Sequence, residues 1–326
     1  MVVDMCINGL GEDLETFIAN KNKENLGEYI DDIFVHIVDC LNDSSLKYSY
    51  CVKFIRSACA KNLSACLAAA KSLVWVPSEK SYAFRPHSDT VYSFYLLSEV
   101  ISFCLEDSVE LVDSDIVDVW CRSASYILFT CEGKDLKRGS TVCSKLWNQN
   151  RSFLLSVMKH LSSISPTIIN MAVVSELCTF ISHSPVPEFE AEYKDVFPNQ
   201  LLKSIFEGKQ EVTYIPLRRC CSILNVCCDS TSFKVLVLPI INRAILRSPE
   251  NQLRIVNSLL EDLSFTLDLC AMDLAQSVVK NLHATSDITR KDAVVMLCTI
   301  SRKCSEVDTL SSLCKLVRCF SLSVLT

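Results

Sequence analysis

The chain has 326 residues, of which 49% are hydrophobic and 21% are charged, and its formal net charge is −6. This composition excludes a disordered chain and a generally basic nucleic-acid binder, and 6 glycines with 9 prolines are few for a β-rich or Rossmann-like protein. Every long apolar run is interrupted before about 20 residues, and the N-terminus lacks a basic start with an apolar core. We therefore expect no membrane contact and no signal peptide.

Helical periodicity extends along most of the chain, since apolar residues recur at three- and four-residue steps and strand-like alternation never persists. Short polar turns such as NDSS (42–45), SISP (163–166) and CDSTS (228–232) separate the segments. The pattern predicts helices at 26–41, 46–60, 62–74, 89–105, 114–131, 151–162, 166–182, 192–206, 215–228, 231–247, 249–263, 267–282, 288–303 and 308–322.

Pairs of such helices repeating every 40–47 residues or so are typical of HEAT and armadillo units. The predicted fold class is therefore all-α, an α-solenoid of HEAT/armadillo-like hairpins forming a single continuous array over residues 1–326. Residues 1–45 hold ten acidic and two basic residues and form acidic N-terminal helices in this interpretation. The best-defined repeats lie at 231–322. The last segment, CKLVRCFSLSVLT, is apolar without a polar capping repeat, so we expect a piece of a longer product.

Three residues in the best repeats are assigned to repeat stacking. Pro239 lies inside the first helix of its hairpin and predicts a kink there. Asp287 can cap the helix that follows it, and its pair with Arg290 can form a ladder to the neighbouring repeat. In the same region, Ser248 is a favourable N-cap and Pro249 suits the first helical position.

No signature of catalysis or of metal binding is present. The glycine-rich phosphate loops, the G-x-S-x-G elbow, the H-E-x-x-H motif and the kinase signature set are all missing, and the five histidines are isolated. The 19 cysteines are scattered through helical patterns without any C-x-x-C, which favours buried thiols over disulfides or zinc. We expect a protein that is not an enzyme, with no cofactor, no metal and no small-molecule substrate.

A group of arginines is the best candidate for partner binding, because eight basic and four acidic residues occupy positions 203–254. Guanidinium groups could contact RNA phosphates or an acidic partner. A structural explanation also stands, since Arg243 and Arg247 share a face at the negative end of their helix. Both interpretations stay open for the five residues Arg218, Arg219, Arg243, Arg247 and Arg254.

Several motifs resemble one known family. ILRSPEN (245–251), LDLCAMD (267–273), KDAVVMLCTISRKCS (291–305) and KLWNQN (145–150) resemble the N-terminal region of a very large HEAT-repeat translational activator of the general amino-acid control pathway. The resemblance is strongest over 231–310. It implies a cytoplasmic scaffold that associates with ribosomes, through ribosomal RNA or ribosomal proteins. It also implies stimulation of the initiation factor 2 alpha kinase during amino-acid starvation, the kinase being contacted through regions beyond this chain.

A second function class also fits the sequence. A HEAT-repeat adaptor of the nuclear-transport or trafficking type would bind protein cargo without contacting the ribosome. The acidic first 45 residues suit it, since an acidic surface favours basic partners.

Overall fold

The computed structural model describes residues 23–42, 48–74, 90–106, 114–208 and 214–322, and these contain helices and no strand. The first 22 residues of the predicted acidic segment lie outside the described residues. The α-helices are α1 (Lys23–Asn42), α2 (Tyr48–Val74), α3 (Thr90–Glu106), α4 (Ser114–Thr130), α5 (Gly133–Gln149), α6 (Arg151–Ser163), α7 (Ile168–His183), α8 (Val196–Phe206), α9 (Tyr214–Arg219), α10 (Cys221–Cys227), α11 (Leu238–Arg247), α12 (Pro249–Glu261), α13 (Ala271–Val279), α14 (Asp287–Arg302) and α15 (Val307–Leu322).

The chain divides into two compact units, and the first comprises residues 1–164. In this unit α3 packs against α1, α2, α4 and α5, and α4 packs against α5 and α6. An aromatic cluster forms its centre: the Trp120 ring lies 5.8 Å from the Phe94 ring and 5.2 Å from the Phe153 ring. The buried indole N–H of Trp120 donates to Ser98 Oγ at 3.2 Å, so burial leaves no polar atom of this side chain unsatisfied.

The second unit comprises residues 165–326 and shows the stacking of paired helices most clearly. Helix α11 contacts α12 and α13, and α13 contacts α14 and α15. The other helix of each hairpin forms a parallel layer, in which α9 contacts α12 and α12 contacts α14. Each hairpin therefore buries its apolar face on the next one, as in an α-solenoid.

The all-α class and the packed helical hairpins confirm the predicted fold class. Even the break between the predicted helices 46–60 and 62–74 has a counterpart, because Asn62 has non-helical φ and ψ of −148° and 78° inside α2. Its side-chain Oδ1 accepts a hydrogen bond from the backbone N–H of Ala65 at 3.2 Å and so starts the second half of the helix. That residues 1–326 form one continuous array stays a prediction.

One helix was not predicted. Helix α5 occupies residues 133–149. Two glycines and a mostly polar sequence weaken the helical periodicity there, so the sequence pattern predicts no helix. Only Cys143, Leu146 and Trp147 among its larger apolar side chains are buried. Packing against α3 and α4 therefore decides its formation more than intrinsic helix propensity does.

The turn before α12 also differs in detail from the prediction. Ser248 holds the N-cap position and Pro249 the first turn, as expected, but the Ser248 hydroxyl makes no capping hydrogen bond to the backbone. It instead donates to Glu250 Oε1 at 3.3 Å and accepts from Asn251 Nδ2 at 3.2 Å. Side chains of the first helical turn thus compete with the backbone N–H groups for this hydroxyl.

The cysteines of the described residues all carry free thiols, and most of them are buried within the two units. Burial raises the pKa of the Cys51, Cys220 and Cys221 thiols to about 12, so they stay neutral at physiological pH. Cys221 Sγ lies 3.0 Å from the carbonyl oxygen of Leu259 on α12 and donates a hydrogen bond to it. These cysteines act as small core residues that fill space between hairpins.

No single helix among the described residues is both long and apolar enough to cross a membrane. The segments 217–227 and 230–247 reach the required length and hydropathy only when taken together, and they meet at a bend of 110°.

Candidate partner-binding surface

Two of the five candidate arginines join neighbouring hairpins. Arg218, in α9, forms a two-pronged ion pair with Asp262 just after α12, at Nε–Oδ2 3.1 Å and Nη2–Oδ1 3.2 Å. Arg254, in α12, pairs with Asp292 in α14, at Nε–Oδ1 3.1 Å. Exposed pairs of this kind contribute at most ~1 kcal/mol each. Their geometry nevertheless fixes how α9, α12 and α14 stack, so the charge of both arginines is already used within the unit.

Arg219 lies at another junction. It is half-buried, and its carbonyl oxygen accepts hydrogen bonds from the hydroxyls of Ser175 in α7 and Ser222 in α10. The Ser222 hydroxyl also donates to the carbonyl of Ser175 at 2.9 Å. The Arg219 backbone therefore helps to attach α10 to α7.

Arg243 and Arg247 are the exposed members of the group that have no acidic partner among the described residues. Both are exposed, and neither forms an ion pair with a described residue. They lie one turn apart on α11, with Leu246, which is 58% exposed, beside them. Val235 and Leu236, in the turn that precedes α11, are 65% and 47% exposed. We call the exposed residues Val235, Leu236, Arg243, Leu246 and Arg247 the outer face.

The outer face is held in place by the opposite side of the same helical segment. Leu238, Ile241 and Ile245 are buried at three- and four-residue steps and fix the rotation of α11. The segment begins with a capping box, in which Asp229 Oδ1 accepts from the Ser232 N–H at 2.7 Å. The Ser232 N–H and hydroxyl hydrogen bonds lower the pKa of Asp229, which keeps the cap charged.

The arrangement combines two kinds of binding chemistry. Guanidinium groups form paired hydrogen bonds with phosphates and carboxylates, and exposed apolar side chains add area that gains from being covered. Arg247 also lies at the carboxyl end of its helix, where the dipole favours a cation. The outer face can therefore hold an anionic surface that carries some apolar groups.

The three residues assigned to repeat stacking occupy different positions. Pro239 is the second residue of α11, directly after a π-helical turn at Phe233–Val237, so the helical segment is irregular at the expected place. Arg290 pairs with Asp287 inside its own helix, and its Nη1 donates to the carbonyl oxygen of Ala284 at 2.6 Å. Ser286, not Asp287, caps α14 through its hydroxyl. Asp287 and Arg290 thus fasten the turn before α14, whereas Arg254 and Asp292 bridge from α12 to α14. A stacking role for Asp287, Arg290 and Pro239 stays a prediction.

The sequence reasoning missed the most extensive bridge between hairpins. Asp268, in the turn before α13, accepts hydrogen bonds from the N–H groups of Ser305 and Glu306, each at 3.0 Å through Oδ1. The Ser305 hydroxyl donates to its Oδ2 at 2.8 Å. Asp268 and Ser305 lie 37 positions apart, so no local sequence pattern connects them.

The described residues contain no group of histidine, cysteine, aspartate or glutamate side chains that could hold a metal ion. His160 Nε2 lies 3.1 Å from Asp118 Oδ1, a contact between α6 and α4. Burial opposes ionisation of Asp118, but hydrogen bonds from His160 and Arg122 lower its pKa overall.

Comparisons with known proteins find relatives for the region of the chain that includes the outer face. The family model described as stalled ribosome sensor GCN1 N-terminal matches residues 194–321. The human protein named Stalled ribosome sensor GCN1 is 27% identical over 172 residues, 53% of this chain and 6% of the human protein. The mouse protein of the same name is 26% identical over 172 residues, with the same coverage. The chain thus spans a small part of these relatives, and no solved structure matches it.

The matched segment begins just before α8 and ends within α15, so it includes the outer face, the Arg254–Asp292 bridge and the Asp268 hydrogen bonds. It also includes most of the motifs on which the sequence resemblance rests. Residues 194–321 therefore match the N-terminal model of the GCN1 family, the family that the sequence resemblance implied.

Proposed function

We propose that the chain is a non-enzymatic scaffold segment of a cytoplasmic stalled-ribosome sensor and that it associates with ribosomes. The observation that carries the proposal is the match of residues 194–321 to the GCN1 N-terminal family, whose human and mouse relatives are named stalled ribosome sensors. Stacked hairpins suit this role, because an array of helices offers a long surface without needing a catalytic pocket.

The outer face is the proposed point of contact with the ribosome. Arg243 and Arg247 carry charge that no described acid neutralises, whereas Arg218 and Arg254 are each engaged with an aspartate of the next hairpin. Ribosomal RNA presents phosphates to such a surface, and the ribosomal proteins at its side can cover the exposed leucines. The contact should therefore weaken with salt.

The proposal extends to signalling in amino-acid starvation. A ribosome-bound scaffold of this family would stimulate the initiation factor 2 alpha kinase, which we place outside the contacts of this chain. Support for this part comes from the family resemblance alone. Phosphorylation of initiation factor 2 alpha after amino-acid withdrawal, in cells carrying the intact gene product or its Arg243→Glu/Arg247→Glu form, tests it. Equal phosphorylation in both would contradict a role for the outer face in signalling.

The ribosome contact is tested by co-sedimentation of the tagged chain with polysomes at about 50 mM and about 200 mM salt. The variant Arg243→Glu/Arg247→Glu reverses the outer face. Lys291→Glu/Lys315→Glu is the matched control, because both lysines are exposed in the same unit and the net charge changes equally. We expect salt-sensitive binding that the control keeps and the outer-face variant loses.

Other outcomes are equally informative. Binding that survives reversal of the outer face would keep the ribosome association but assign the contact to another surface. A chain that stays in the supernatant at both salt concentrations would overturn the ribosome proposal. In that case the cargo-binding adaptor becomes the better interpretation.

A further inference from the structure

A second candidate site lies in the first unit, outside the segment that matches the GCN1 family. A cavity of about 570 Å³ opens between α2, α3 and α5, within the range of ~300–1,000 Å³ that is usual for small-ligand sites. One wall consists of three tyrosines and the opposite wall of three cations. These residues are Tyr48, Tyr92, Tyr95, Lys134, Lys137 and Arg138.

The tyrosines form a continuous aromatic wall. The Tyr95 ring lies 5.7 Å from the Tyr48 ring and 6.0 Å from the Tyr92 ring, in both cases edge to face. Tyr95 is only 4% exposed, and its buried hydroxyl has no hydrogen-bond partner among the described residues. Tyr48 and Tyr92 are half-buried and can offer ring surface to a ligand. An unsatisfied hydroxyl on such a wall is unusual, because buried polar groups are normally hydrogen-bonded.

The cations occupy one face of α5 near its N-terminus, where the helix dipole disfavours positive charge. Lys134, Lys137 and Arg138 fall within the first six residues of the helix, where the dipole favours anions and disfavours cations. Neither lysine pairs with a described acid, and Arg138 reaches Asp135 only at 4.0 Å. The positive charge of this wall is thus largely free to meet a ligand.

Glu99, a buried carboxylate bonded to the cavity residue Tyr48, is already neutralised. Glu99 accepts hydrogen bonds from Lys145 Nζ at 3.1 Å and from the Tyr48 hydroxyl at 3.3 Å. Burial, and then the charge of Glu99, raises the pKa of Tyr48, so this hydroxyl stays protonated. Glu99 therefore adds no uncompensated negative charge beside Tyr48 and does not repel an anion.

We propose that this cavity binds a nucleotide, with its base against the tyrosine rings and its phosphate on the cations of α5. Sites for single-stranded nucleic acid combine these two elements, aromatic rings on which bases stack and a basic surface that follows the backbone. A ligand with a cationic head is disfavoured by the three cations. The nucleotide could belong to a single-stranded RNA or be free in solution.

The position of the cations favours a ligand with more than one phosphate. Lys134 and Arg138 lie just over one helical turn apart, ~6 Å along the axis, so they can meet phosphates on both sides of a base. A single phosphoryl group, as on a phosphopeptide, would leave part of the basic wall unused. The proposal is independent of the ribosome proposal, since the cavity and the outer face lie in different units.

The test is fluorescence anisotropy with the full chain and a labelled ten-nucleotide single-stranded RNA, followed by calorimetry with ADP. Lys134→Glu/Lys137→Glu should weaken RNA binding and reduce the slope of log K against log salt by about 1.4, since each phosphate contact on a single strand contributes ~0.7. Lys159→Glu/Lys203→Glu changes the net charge equally at exposed positions that do not line the cavity and should bind as the unchanged chain does.

Substitutions at Tyr92 test whether the aromatic wall stacks on a base. Tyr92→Ala should weaken binding by about fivefold or more, because a stacked base is lost, whereas Tyr92→Phe should retain it. An RNA lacking bases should bind no better to the unchanged chain than to Tyr92→Ala. Binding of RNA but not of ADP assigns the nucleotide to an RNA strand, and binding of ADP with equal dependence on Tyr92 assigns it to a free nucleotide.

Three results would overturn the proposal. One is the absence of binding to both probes, and another is equal loss of binding in the cavity variant and in its charge-matched control. The third is selective binding of a phosphotyrosine peptide without binding of either nucleotide probe, which would assign the cavity to a protein ligand. Because the proposed function concerns α11, any of these leaves the polysome experiment unaffected.

Discussion

At the scale of single residues, the cysteines differ sharply in their surroundings. Those between helices are buried, and burial raises the pKa of thiols such as Cys51 and Cys220 to about 12. Cys298, Cys314 and Cys319 are exposed on the last two helices. Since the thiolate is the reactive form, both the burial and the raised pKa of Cys51 and Cys220 protect these thiols from reaction.

We expect iodoacetamide to label Cys298, Cys314 and Cys319 of the folded chain much faster than the buried cysteines. Mass spectrometry of peptides after brief labelling at neutral pH measures this, and the urea-unfolded chain provides the control in which all thiols react alike. Rapid labelling of Cys220 or Cys221 in the folded chain would contradict the packing between α10 and α12.

Asp268 is the residue whose charge contributes most visibly to the contact between hairpins. Its partial desolvation opposes ionisation, but the hydrogen bonds from Ser305 and Glu306 lower its pKa below the ordinary value of 3.8. A carboxylate with a depressed folded pKa stabilises the fold above its unfolded pKa. That contribution is lost as the pH falls through the folded pKa.

Asp268→Asn should therefore lower the free energy of unfolding by about 1 kcal/mol at pH 6, because hydrogen bonds to a charged acceptor are stronger than those to a neutral amide oxygen by about this amount. The difference between the two chains should shrink as the pH falls below about 3.8, because the unchanged chain then loses the same charge. Urea unfolding followed by circular dichroism over this pH range measures both values. A difference that stays constant with pH would contradict the assigned role of the carboxylate.

At the scale of elements, α5 shows how packing can form a helix that its sequence scarcely indicates. Gly139 is buried where α5 crosses α4, and a Cβ atom at this position would lie 3.0 Å from Ile127 Cγ2. The glycine that weakens the helical signal is thus what permits the close approach of the two helices.

Gly139→Leu should destabilise the chain by about 1–3 kcal/mol, because the new side chain has no space between α5 and α4. Asn148→Leu places the same side chain at an exposed position of α5 and should change stability by less than about 0.5 kcal/mol. Urea midpoints of the two variants and the unchanged chain compare them. Equal stability of both variants would show that α5 does not pack on α4 as described.

Much of the helical organisation could be predicted because apolar periodicity is local. The break at Asn62, the helix that follows Pro249 and the irregularity near Pro239 all leave signals within a few residues. The contacts between hairpins leave weaker signals, since they join residues about one repeat apart. The pairs of Arg218 with Asp262 and of Arg254 with Asp292 could not be distinguished from free surface charge for this reason.

The cavity in the first unit was missed for the same physical cause. Its tyrosines and its cations come from helices separated by dozens of residues, and the cationic wall belongs to the one helix that was not predicted. The sequence offers no way to rank the five arginines as partner-binding residues. The fold shows which of them form ion pairs with described acids and which do not. Tertiary neighbours, more than residue types, decide which charge is available to a partner.

At the scale of the whole molecule, the outer face lies within the segment that matches the GCN1 N-terminal family model. The two units each consist of packed helices, and residues 194–321 of the second carry the match to the GCN1 N-terminal family. We propose that the outer face of this segment contacts the ribosome, while Arg218 and Arg254 form ion pairs that join neighbouring hairpins.

Site-specific photocrosslinking to purified ribosomes tests that claim most directly. A photoreactive amino acid at Leu246 lies between the two solvent-facing arginines and leaves both intact, and the same group at Ile288 is an equally exposed control at 58%. We predict crosslinks to ribosomal RNA or ribosomal proteins from position 246 and few from position 288. Equal crosslinking from both positions, or none from position 246 while the chain still sediments with ribosomes, would show that the outer face does not contact the ribosome.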